Sequence, residues 1–482
     1  MRHKPNVFDK NLEKTEAPHQ RTKELVNLAY KINVKELDGG TSRITKNLIR
    51  DGIGVLLAGI DHPTVKIITS YFEGSQPENG VKIIGHKLKC NLPDTAFVYG
   101  CAIHSMDYEP MFLPPTHAVS PVLAPLLAIA QKEDLDGNTF LKAFIAGIQF
   151  EAGLRIATKI SDTEAADNKS HFPFEKKGFH PPGTVGTLGS ALASSIALGL
   201  SEEQCTMAIG YAASRSSGIS GNIGTMTKAT HCGNAARSGL EAALLTAHGL
   251  TSSKCIIETG SGWAEVFGGP SFNYHSLLSG MEQLSCFQNP GFAFKKWPSH
   301  TAMQIAINGA LKLNKGNHSN GEIKVTVPVF NYCNRPNPVD SNDARFSFQY
   351  NIAIALVDGN LNSESFTEEK LHSPIIRDYL SRIKLNLCPE IPRDFGQMHI
   401  IIETESGEKV ISDNWPGHWK TPMTDKEMSL KFESCCSRFW SKDETLIHEN
   451  FILKYYGNGL FKFNHKRINQ AFLGLHRLTF LR

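Results

Sequence analysis

A run of glycine, alanine and serine over residues 183–200 is the feature that most constrains how this chain can fold. The run, GTVGTLGSALASSIALGL, is long enough for a full helix. Because the distance between packed helices depends on the side chains at their contact, such small residues let neighbouring helices approach closely. Segments 202–215 and 233–249 continue the same small-residue pattern. The sequence therefore predicts a helix at 183–200 in the centre of a large helical domain.

Apolar residues at helical spacing extend this prediction over most of the first 285 residues. Residues 41–60 carry an apolar stripe, and Thr41 or Ser42 is the expected N-cap of that helix. Residues 138–160 carry a second stripe of the same kind. Both segments favour amphipathic helices that pack around the small-residue helix.

The periodicity changes in the second half of the chain. Residues 321–330 alternate apolar and polar side chains, which predicts a half-buried strand. In 397–412, two β-branched runs flank Ser406-Gly407, which is typical of a hairpin. Segments 345–357 and 421–436 again have helical spacing.

These patterns together predict a mainly α fold. We expect a large all-helical domain over residues 22–290 and a smaller α+β domain over 291–421. The segment 422–482 is expected to return to the helical domain, since terminal helices often pack back onto the body of a protein.

Charge and length exclude several classes of protein. The 482 residues include 50 Lys+Arg and 47 Asp+Glu, a formal net charge of +3, which argues against nucleic-acid binding driven by bulk charge. No run approaches the roughly 18 apolar residues of a membrane helix, so we expect no membrane partner. The first 25 residues mix acids and bases and lack an apolar secretory core. We therefore expect a cytoplasmic or mitochondrial protein that is not secreted.

The sequence contains none of the common cofactor motifs. The ten cysteines form no C-x-x-C pair, which favours a reducing compartment and mostly buried thiols. No H-E-x-x-H, no G-x-x-x-x-G-K-[ST] and no G-x-G-x-x-G after a strand occurs. We therefore expect no metal and no cofactor.

Titratable side chains cluster beside glycine and proline at two places in the first half of the chain. Asp107 is followed by three prolines before His117, which indicates an exposed helix-to-loop junction. Alternatively, Asp107 caps a helix and His117 only begins the next one. His180 stands directly before the predicted helix start at Pro181, where backbone N–H groups favour an anion. A simple helix-entry turn is the alternative there.

Three further segments carry cations or hydroxyl groups. Lys228 and His231 share a face if their segment is helical, although Lys228 could also be an ordinary surface lysine. The segments FKKWPSH and NYCNRP supply Lys295, His300, Tyr332 and Arg335, which would suit a carboxylate ligand. Together these candidates fit a cofactor-free enzyme that acts on a polycarboxylate by general acid–base catalysis.

The same segments resemble the MmgE/PrpD family, which includes cis-aconitate decarboxylases and 2-methylcitrate dehydratases. Over roughly residues 30–430, the motifs that carry the resemblance are AIHSMDY, FHPPGTVGTLGSA, TKATHCGNAARSGLEAA, FKKWPSH, YCNRPNPV and ARFSFQY. The tail beyond Trp440 does not resemble the family. The resemblance implies a lyase that forms a homodimer, with a large helical domain and a smaller α+β lid.

The resemblance also implies which residues act, with one departure. The catalytic candidates it implies are Asp107, His117, His180, Lys228 and Tyr332, and Lys295 and His300 also lie in matching motifs. Where the decarboxylases place a short D-D-T segment and a further histidine, this chain has Met111 at the threonine position and Leu113 at the histidine position. The 2-methylcitrate dehydratases differ there as well. The expected substrate-binding residues are His231, Lys295, His300, Arg335 and Met111.

The apolar exchange at residues 109–113 leads us to expect dehydration of an alkyl- or methyl-substituted citrate. Burying one CH₂ group is worth about 0.8 kcal/mol, so an alkyl substituent could be accommodated there. In that reaction a histidine or Asp107 removes the proton, and His180, His117 or Tyr332 protonates the departing hydroxyl. Lys228, Lys295 and Arg335 hold the carboxylates. One alternative is decarboxylation of cis-aconitate to itaconate, and a second is an inactive dimeric scaffold.

Overall fold

The first part of the chain is built from helices. The structure, a computed structural model, describes residues 20–133, 135–159, 177–288, 290–313 and 321–455. Its helices up to residue 288 are α1 (Arg21–Lys31), α2 (Gly39–Gly59), α3 (Pro63–Phe72), α4 (Leu92–Ser105), α5 (Val119–Lys132), α6 (Gly137–Ala157), α7 (Pro181–Ala197), α8 (Glu202–Ala213), α9 (Thr227–Ala247) and α10 (Tyr274–Gln283).

The small-residue helix α7 lies at the centre of this helical part, as predicted. It packs against α5, α6, α8 and α9, and its residues from Pro181 to Ile196 are all buried. Two of its serines satisfy their hydroxyl groups within helices, since Ser195 donates to the Ala191 carbonyl and Ser190 to the Ala236 carbonyl on α9. The small side chains of α7 therefore allow four helices, α5, α6, α8 and α9, to pack around it.

The contact between α7 and α9 leaves no room for a larger residue at Gly239. A Cβ atom there would collide with the Ser190 side chain and the backbone nitrogen of Ala191. We expect Gly239→Ala to lower the free energy of unfolding by about 1–3 kcal/mol, the usual cost of overpacking. Gly260, where an added Cβ would have no atom within 4 Å, supplies the matched control Gly260→Ala. Urea denaturation of both variants checks the difference, and equal losses would contradict it.

Two minimal β ribbons interrupt the helical part. Strands β1 (Val81–Lys82) and β2 (Lys89–Cys90) pair antiparallel. Strand β3 (Met111–Phe112) pairs antiparallel with β4 (Phe292–Ala293) and so joins the loop after α4 to the start of the second part. Apart from these short ribbons, the regular structure of the described first part is helical, which confirms the prediction of a mainly α fold.

The second part combines a four-stranded sheet with helices. The strands β5 (Ile323–Pro328), β6 (Ile383–Cys388), β7 (Ile400–Thr404) and β8 (Lys409–Ser412) lie in the order β6-β5-β7-β8, with β5 and β6 parallel and the other pairs antiparallel. The hairpin β7–β8 turns at Gly407, whose φ of +88° suits glycine. The helices of this part are α11 (Thr301–Ala310), α12 (Ser341–Arg345), α13 (Phe348–Asp358), α14 (Glu368–Leu371) and α15 (Pro374–Arg382).

The last two described helices are α16 (Asp425–Cys436) and α17 (Lys442–Tyr455), and both pack against α2 of the helical part. The buried apolar residues form two main cores. One contains residues from 25 to 294 together with residues from 428 to 452, and the other contains residues from 293 to 415 together with Met111. The bounds 22–290, 291–421 and 422–482 remain a proposal, which this division supports. Residues 456–482 lie outside the described residues.

The start of α2 differs from the sequence prediction. The N-cap is Asp38, whose carboxylate accepts hydrogen bonds from the backbone N–H groups of Gly40 and Thr41 at 2.7 and 2.9 Å. Thr41 and Ser42 therefore lie inside the helix, and the prediction of either as N-cap was wrong. None of the described helices is both long and apolar enough to cross a membrane.

Candidate active site

Asp107 is the centre of the charged groups that the fold brings together. It follows the C-terminus of α4, where its N–H donates to the His104 carbonyl and its φ of +50° lies in the left-handed region. Its two carboxylate oxygens bind different ammonium groups, with Lys228 at 2.7 Å from Oδ2 and Lys295 on Oδ1. Lys295 also donates to the Asp107 carbonyl at 2.7 Å. A strained backbone held by two lysines is typical of a functional site.

The lysines control the ionisation of this carboxyl group. Burial alone would raise the pKa of Asp107, but the charges of Lys228 and Lys295 outweigh burial and hold that pKa well below its usual range. Burial lowers the pKa of Lys295, and the neighbouring charge of Lys228 lowers it further, against the opposing effect of Asp107. Lys228 is buried and paired, so the alternative of a surface lysine was wrong.

A buried chain of two further residues extends from Lys228. His104 Nε2 lies 2.8 Å from Lys228 Nζ, and His104 Nδ1 lies 2.5 Å from Glu109 Oε1. Since the ammonium donates to Nε2, the proton of the neutral imidazole is assigned to Nδ1, which donates to Glu109. Ser120 donates its N–H and its hydroxyl to the two oxygens of Glu109, both at 3.0 Å. We call Asp107, Lys228, Lys295, His104 and Glu109 the Asp107 cluster.

Sequence reasoning did not select His104 or Glu109 as site residues. The signal for His104 was present, because it stands three residues before Asp107 in AIHSMDY, at the last turn of a helix. Glu109 was noted only as part of a departure from the family pattern. The positive φ of Asp107 could not be predicted from the sequence, because aspartate adopts this conformation more often than most residues but still only rarely.

Three predicted histidines lie next to this cluster. The ring centroid of His117 is 4.5 Å from that of His104, and the ring of His180 is about 6 Å from both, at 6.1 and 6.3 Å. His180 Nδ1 lies 3.0 Å from His231 Nδ1, so these two rings share a single proton at that contact. His180 is the N-cap residue of α7 without a side-chain cap, which leaves its ring for the cluster.

Burial and the lysine charges keep these imidazoles neutral. Burial holds the pKa of His117 and of His180 well below the usual range, and nearby cations add to the effect. Burial and Lys228 lower the pKa of His231 to about 4. These three imidazoles therefore bind protons weakly, which makes each of them a weak base.

The remaining predicted site residues, His300, Tyr332 and Arg335, come from the second part of the chain, where Phe346 lies between them and Lys228. The ring centroid of Phe346 lies 5.5 Å from Lys228 Nζ, 5.6 Å from Arg335 Cζ and 5.3 Å from the ring of His300. Tyr332 Oη is 3.4 Å from His300 Nε2. The structure thus brings His300, Tyr332 and Arg335 to the edge of the Asp107 cluster.

Arg335 is committed to contacts within its own loop. Its guanidinium forms an ion pair with Asp343 and its Nε donates to the Tyr332 carbonyl at 2.7 Å. It also fills the space above Gly224, where a Cβ would collide with it. These contacts make Arg335 a less available carboxylate ligand than the sequence led us to expect.

Met111 occupies a different environment from the one we expected. It belongs to β3, is 4 % exposed and forms part of the second apolar core. Its Sδ accepts a hydrogen bond from the Thr301 hydroxyl at 3.2 Å, next to His300 in sequence. Met111 therefore packs as a core residue, and Thr301, which donates to its sulfur, is the sequence neighbour of His300.

One group of possible metal ligands occurs among the described residues. Ligand atoms of His104, Glu109 and Cys232 lie within 4.8 Å of one another, and all three residues are buried. The Lys228 ammonium, however, lies 2.8 Å from His104 Nε2, and burial raises the pKa of the Cys232 thiol well above its usual range. A divalent cation on His104 Nε2 would have to displace the Lys228 ammonium, and one on Nδ1 would put the ring proton on Nε2, facing that ammonium, so these residues fit a metal poorly.

Glu109 gives the site a measurable pH dependence. Burial raises its pKa from 4.5 to about 7, against the opposing effects of Ser120 and Lys295. A raised pKa means that the folded protein favours the protonated form of Glu109. The contribution of this protonation to the free energy of unfolding is therefore full below about pH 4.5 and is lost as the pH rises through about 7.

We therefore expect the stability of Glu109→Gln relative to the wild type to increase as the pH rises over that interval and then to level off. Denaturant unfolding of both proteins across the pH range measures this difference, in which the contributions of the other titrating groups cancel to first order. A difference that does not vary with pH would contradict the assigned environment of Glu109.

Comparison with known proteins places this chain in a family. The model of the MmgE/PrpD N-terminal domain matches residues 23–275, and the model of the C-terminal domain matches residues 297–453. The chain is 32 % identical over 449 residues to the cis-aconitate decarboxylase of Mus musculus, covering 88 % of this chain and 89 % of that protein. The human cis-aconitate decarboxylase is 31 % identical over 457 residues, covering 88 % and 90 %.

A more distant relative is the cis-aconitate decarboxylase of Aspergillus terreus, which is 22 % identical over 498 residues and covers 95 % of this chain and 94 % of that protein. The two family models together match most of the chain, and the division between its two apolar cores lies in the short segment 276–296 between them. The resemblance seen in the sequence motifs is thereby confirmed, and the chain belongs to the MmgE/PrpD family.

Proposed function

We propose that this chain is a lyase that decarboxylates cis-aconitate, or a tricarboxylate of the same form, to itaconate and CO₂. The observation that carries the proposal is the Asp107 cluster, in which two buried ammonium groups share one ionised carboxylate. A lyase is supported by family membership, and decarboxylation is supported by the names of relatives at 31–32 % identity. These relatives favour decarboxylation, the alternative considered above, over dehydration, the reaction that the sequence first led us to expect.

The electrostatics of the site suit a reaction that needs cations and an acid more than a strong base. Dehydration begins with removal of a weakly acidic proton beside a carboxylate, which requires a competent base. Asp107 has a depressed pKa and the neighbouring histidines bind protons weakly, so each is a weak base. Decarboxylation instead releases an electron pair that fixed positive charges stabilise, and it then needs one proton at carbon.

Lys228 is the proton donor in this proposal. Its ammonium uses one N–H on Asp107 and one on His104, which leaves its third N–H without a partner among the described residues. The C–C bond to the leaving carboxylate breaks, its electron pair moves through the double bond, and a Lys228 proton forms the new C–H bond. A proton taken up from solvent then restores the Lys228 ammonium, while His104 Nε2 accepts a hydrogen bond from that ammonium and Lys295 holds Asp107 in place.

An alkyl-substituted substrate has less support in the folded protein. That hypothesis rested on Met111 and Leu113, but Met111 packs in the second apolar core and Leu113 packs against the same core. The Leu113 N–H donates to the Gly291 carbonyl at 3.1 Å, which fixes this loop to the start of β4. Both residues thus have structural partners that account for their apolar character.

Proton consumption separates the two reactions. Decarboxylation of the cis-aconitate trianion to the itaconate dianion takes up one proton per turnover, whereas dehydration of a citrate trianion takes up none. We propose to incubate the purified protein with cis-aconitate, 2-methylcitrate and a longer alkylcitrate, and to follow products by mass spectrometry and proton uptake in a pH-stat. Itaconate formation with proton uptake is the expected result. Loss of water from an alkylcitrate alone would favour a dehydratase, and no turnover of any substrate would favour the inactive scaffold.

Two further expectations accompany this proposal. A homodimer stays a prediction, which the mass of the protein in solution by light scattering tests. A cytoplasmic or mitochondrial location also stays a prediction, which fractionation of cells that express the full chain tests.

A further inference from the structure

A buried ion pair connects the C-terminal helices to the loop that carries Asp107. Lys431 of α16 and Asp51 of α2 are paired at 2.7 Å, and their side chains are 3 % and 1 % exposed. The same Lys431 ammonium donates to the carbonyl of Tyr108 at 3.0 Å and lies 4.0 Å from the centre of its ring. Tyr108 stands between the two carboxylates of the site, Asp107 and Glu109.

The other end of Tyr108 is also fixed. Its hydroxyl donates to the backbone carbonyl of Lys296 at 2.9 Å, directly after Lys295 in sequence. Tyr108 therefore joins the loop after α4 to the segment that supplies the second lysine. Its backbone and its side chain are each held by one hydrogen bond, at opposite ends of the residue.

The backbone at this point needs such support. Asp107 has a φ of +50°, a conformation that a residue with a side chain adopts only when its surroundings hold it there. The Lys295 ammonium holds the Asp107 carbonyl on one side of Tyr108, and Lys431 holds the next carbonyl along the chain. Two buried lysines thus bind two successive carbonyl groups across the strained turn.

The geometry points to Lys431 and Asp51 as positioning residues for the active site. Asp51 fixes the Lys431 ammonium, Lys431 fixes the Tyr108 carbonyl, and Tyr108 sets the places of Asp107, Glu109 and Lys295. The C-terminal segment thereby acts on the catalytic machinery through another residue, although none of its described residues binds the side chains of the Asp107 cluster directly. This inference rests on the proposed function only for its activity readout.

The chain contains a matched control for this inference. Arg50 of α2 forms a second buried ion pair, with Glu449 of α17, at 2.7 Å. Arg50 and Glu449 are as buried as Asp51 and Lys431, and they join the same C-terminal segment to the same helix. Arg50 also donates to Asn47 and Ser429, which belong to α2 and α16 rather than to the loop at 107–109. Loss of this pair therefore measures the general effect of loosening the C-terminal helices.

The test compares the double variants Asp51→Asn/Lys431→Met and Arg50→Met/Glu449→Gln, each of which removes both charges of its pair. We expect the first to lower kcat by about 30-fold or more with a smaller change in KM, and the second to change kcat by less than about threefold. Lys431→Arg, which keeps the charge and the donors, is expected to retain more activity than Lys431→Met. Equal losses in the two double variants would overturn the inference.

Crystal structures of the wild type and of both double variants make the test independent of activity. We expect Asp107 to leave the left-handed region, and its carbonyl to separate from Lys295, only in the Asp51→Asn/Lys431→Met protein. An unchanged Asp107 in that variant would overturn the inference even if the wild type decarboxylates cis-aconitate. If the wild type turned over no substrate but Asp107 moved as expected, the proposed function would fail and the positioning role would stand.

Discussion

Replacing Lys228 with methionine is expected to lower kcat for itaconate formation by about 10³-fold or more, the range found when a proton donor or a charge-stabilising donor is removed. The substitution keeps an unbranched side chain, shorter by the terminal nitrogen, and removes the ammonium that contacts Asp107 and His104 together. KM is expected to change much less, because Lys295 remains to hold positive charge in the site. Steady-state kinetics with cis-aconitate measures both constants.

The control for this variant is Lys296→Met. The Lys296 side chain is 37 % exposed and only loosely paired with Glu427 at 3.8 Å, so its loss is expected to leave kcat within a few fold of the wild type. Circular dichroism and the unfolding midpoint of each variant show whether the fold is retained. A folded Lys228→Met protein that keeps more than a tenth of wild-type kcat would contradict the assignment of Lys228 as proton donor.

Much of the fold could be predicted because the patterns that define it are local. The small-residue run at 183–200 predicted the central helix α7, and alternation in 321–330 predicted the strand β5. The Ser406-Gly407 pair predicted the hairpin β7–β8, because glycine permits the positive φ that the turn requires. The two-residue ribbons escaped prediction, since segments so short carry no periodicity.

The site could be predicted as a set of residues but not as a geometry. Polar groups beside glycine and proline marked Asp107, His180 and Lys228, and the fold does bring these three together. Which groups are acids and which are bases could not be predicted, because that depends on distances between charges that are far apart in sequence. Lys295, 188 residues from Asp107, helps to decide the ionisation of its carboxyl group.

The apolar exchange after Asp107 has a structural explanation that the sequence does not show. Met111 and Leu113 led us to expect that an alkyl substituent could be accommodated, because they stand near a catalytic motif. Strand β3, however, pairs with β4, and the Met111 side chain lies in the second apolar core, where it accepts a hydrogen bond from Thr301. The direction of a side chain in a two-residue strand depends on its partner strand, which here lies about 180 residues away.

Asp107→Asn is expected to have the second large effect, on activity and stability together. The change replaces a shared carboxylate by a neutral amide, so the ammonium groups of Lys228 and Lys295 lose their common counter-ion. Breaking a buried ion pair by removing one partner typically costs about 3–5 kcal/mol of folding free energy. We expect kcat to fall by about 10³-fold, because the amide can accept a hydrogen bond from only one of the two lysines.

The pH dependence of Asp107→Asn distinguishes loss of charge from loss of shape. Burial already lowers the pKa of Lys295, and Asp107 opposes that effect, so the pKa falls further when the carboxylate is gone. A lysine with a lower pKa loses its proton earlier as the pH rises, so the residual activity is expected to increase toward acidic pH more steeply than in the wild type. Rates measured with cis-aconitate across the pH range give this slope. A residual activity with the wild-type pH profile would mean that Asp107 acts through its shape rather than by keeping both lysines charged.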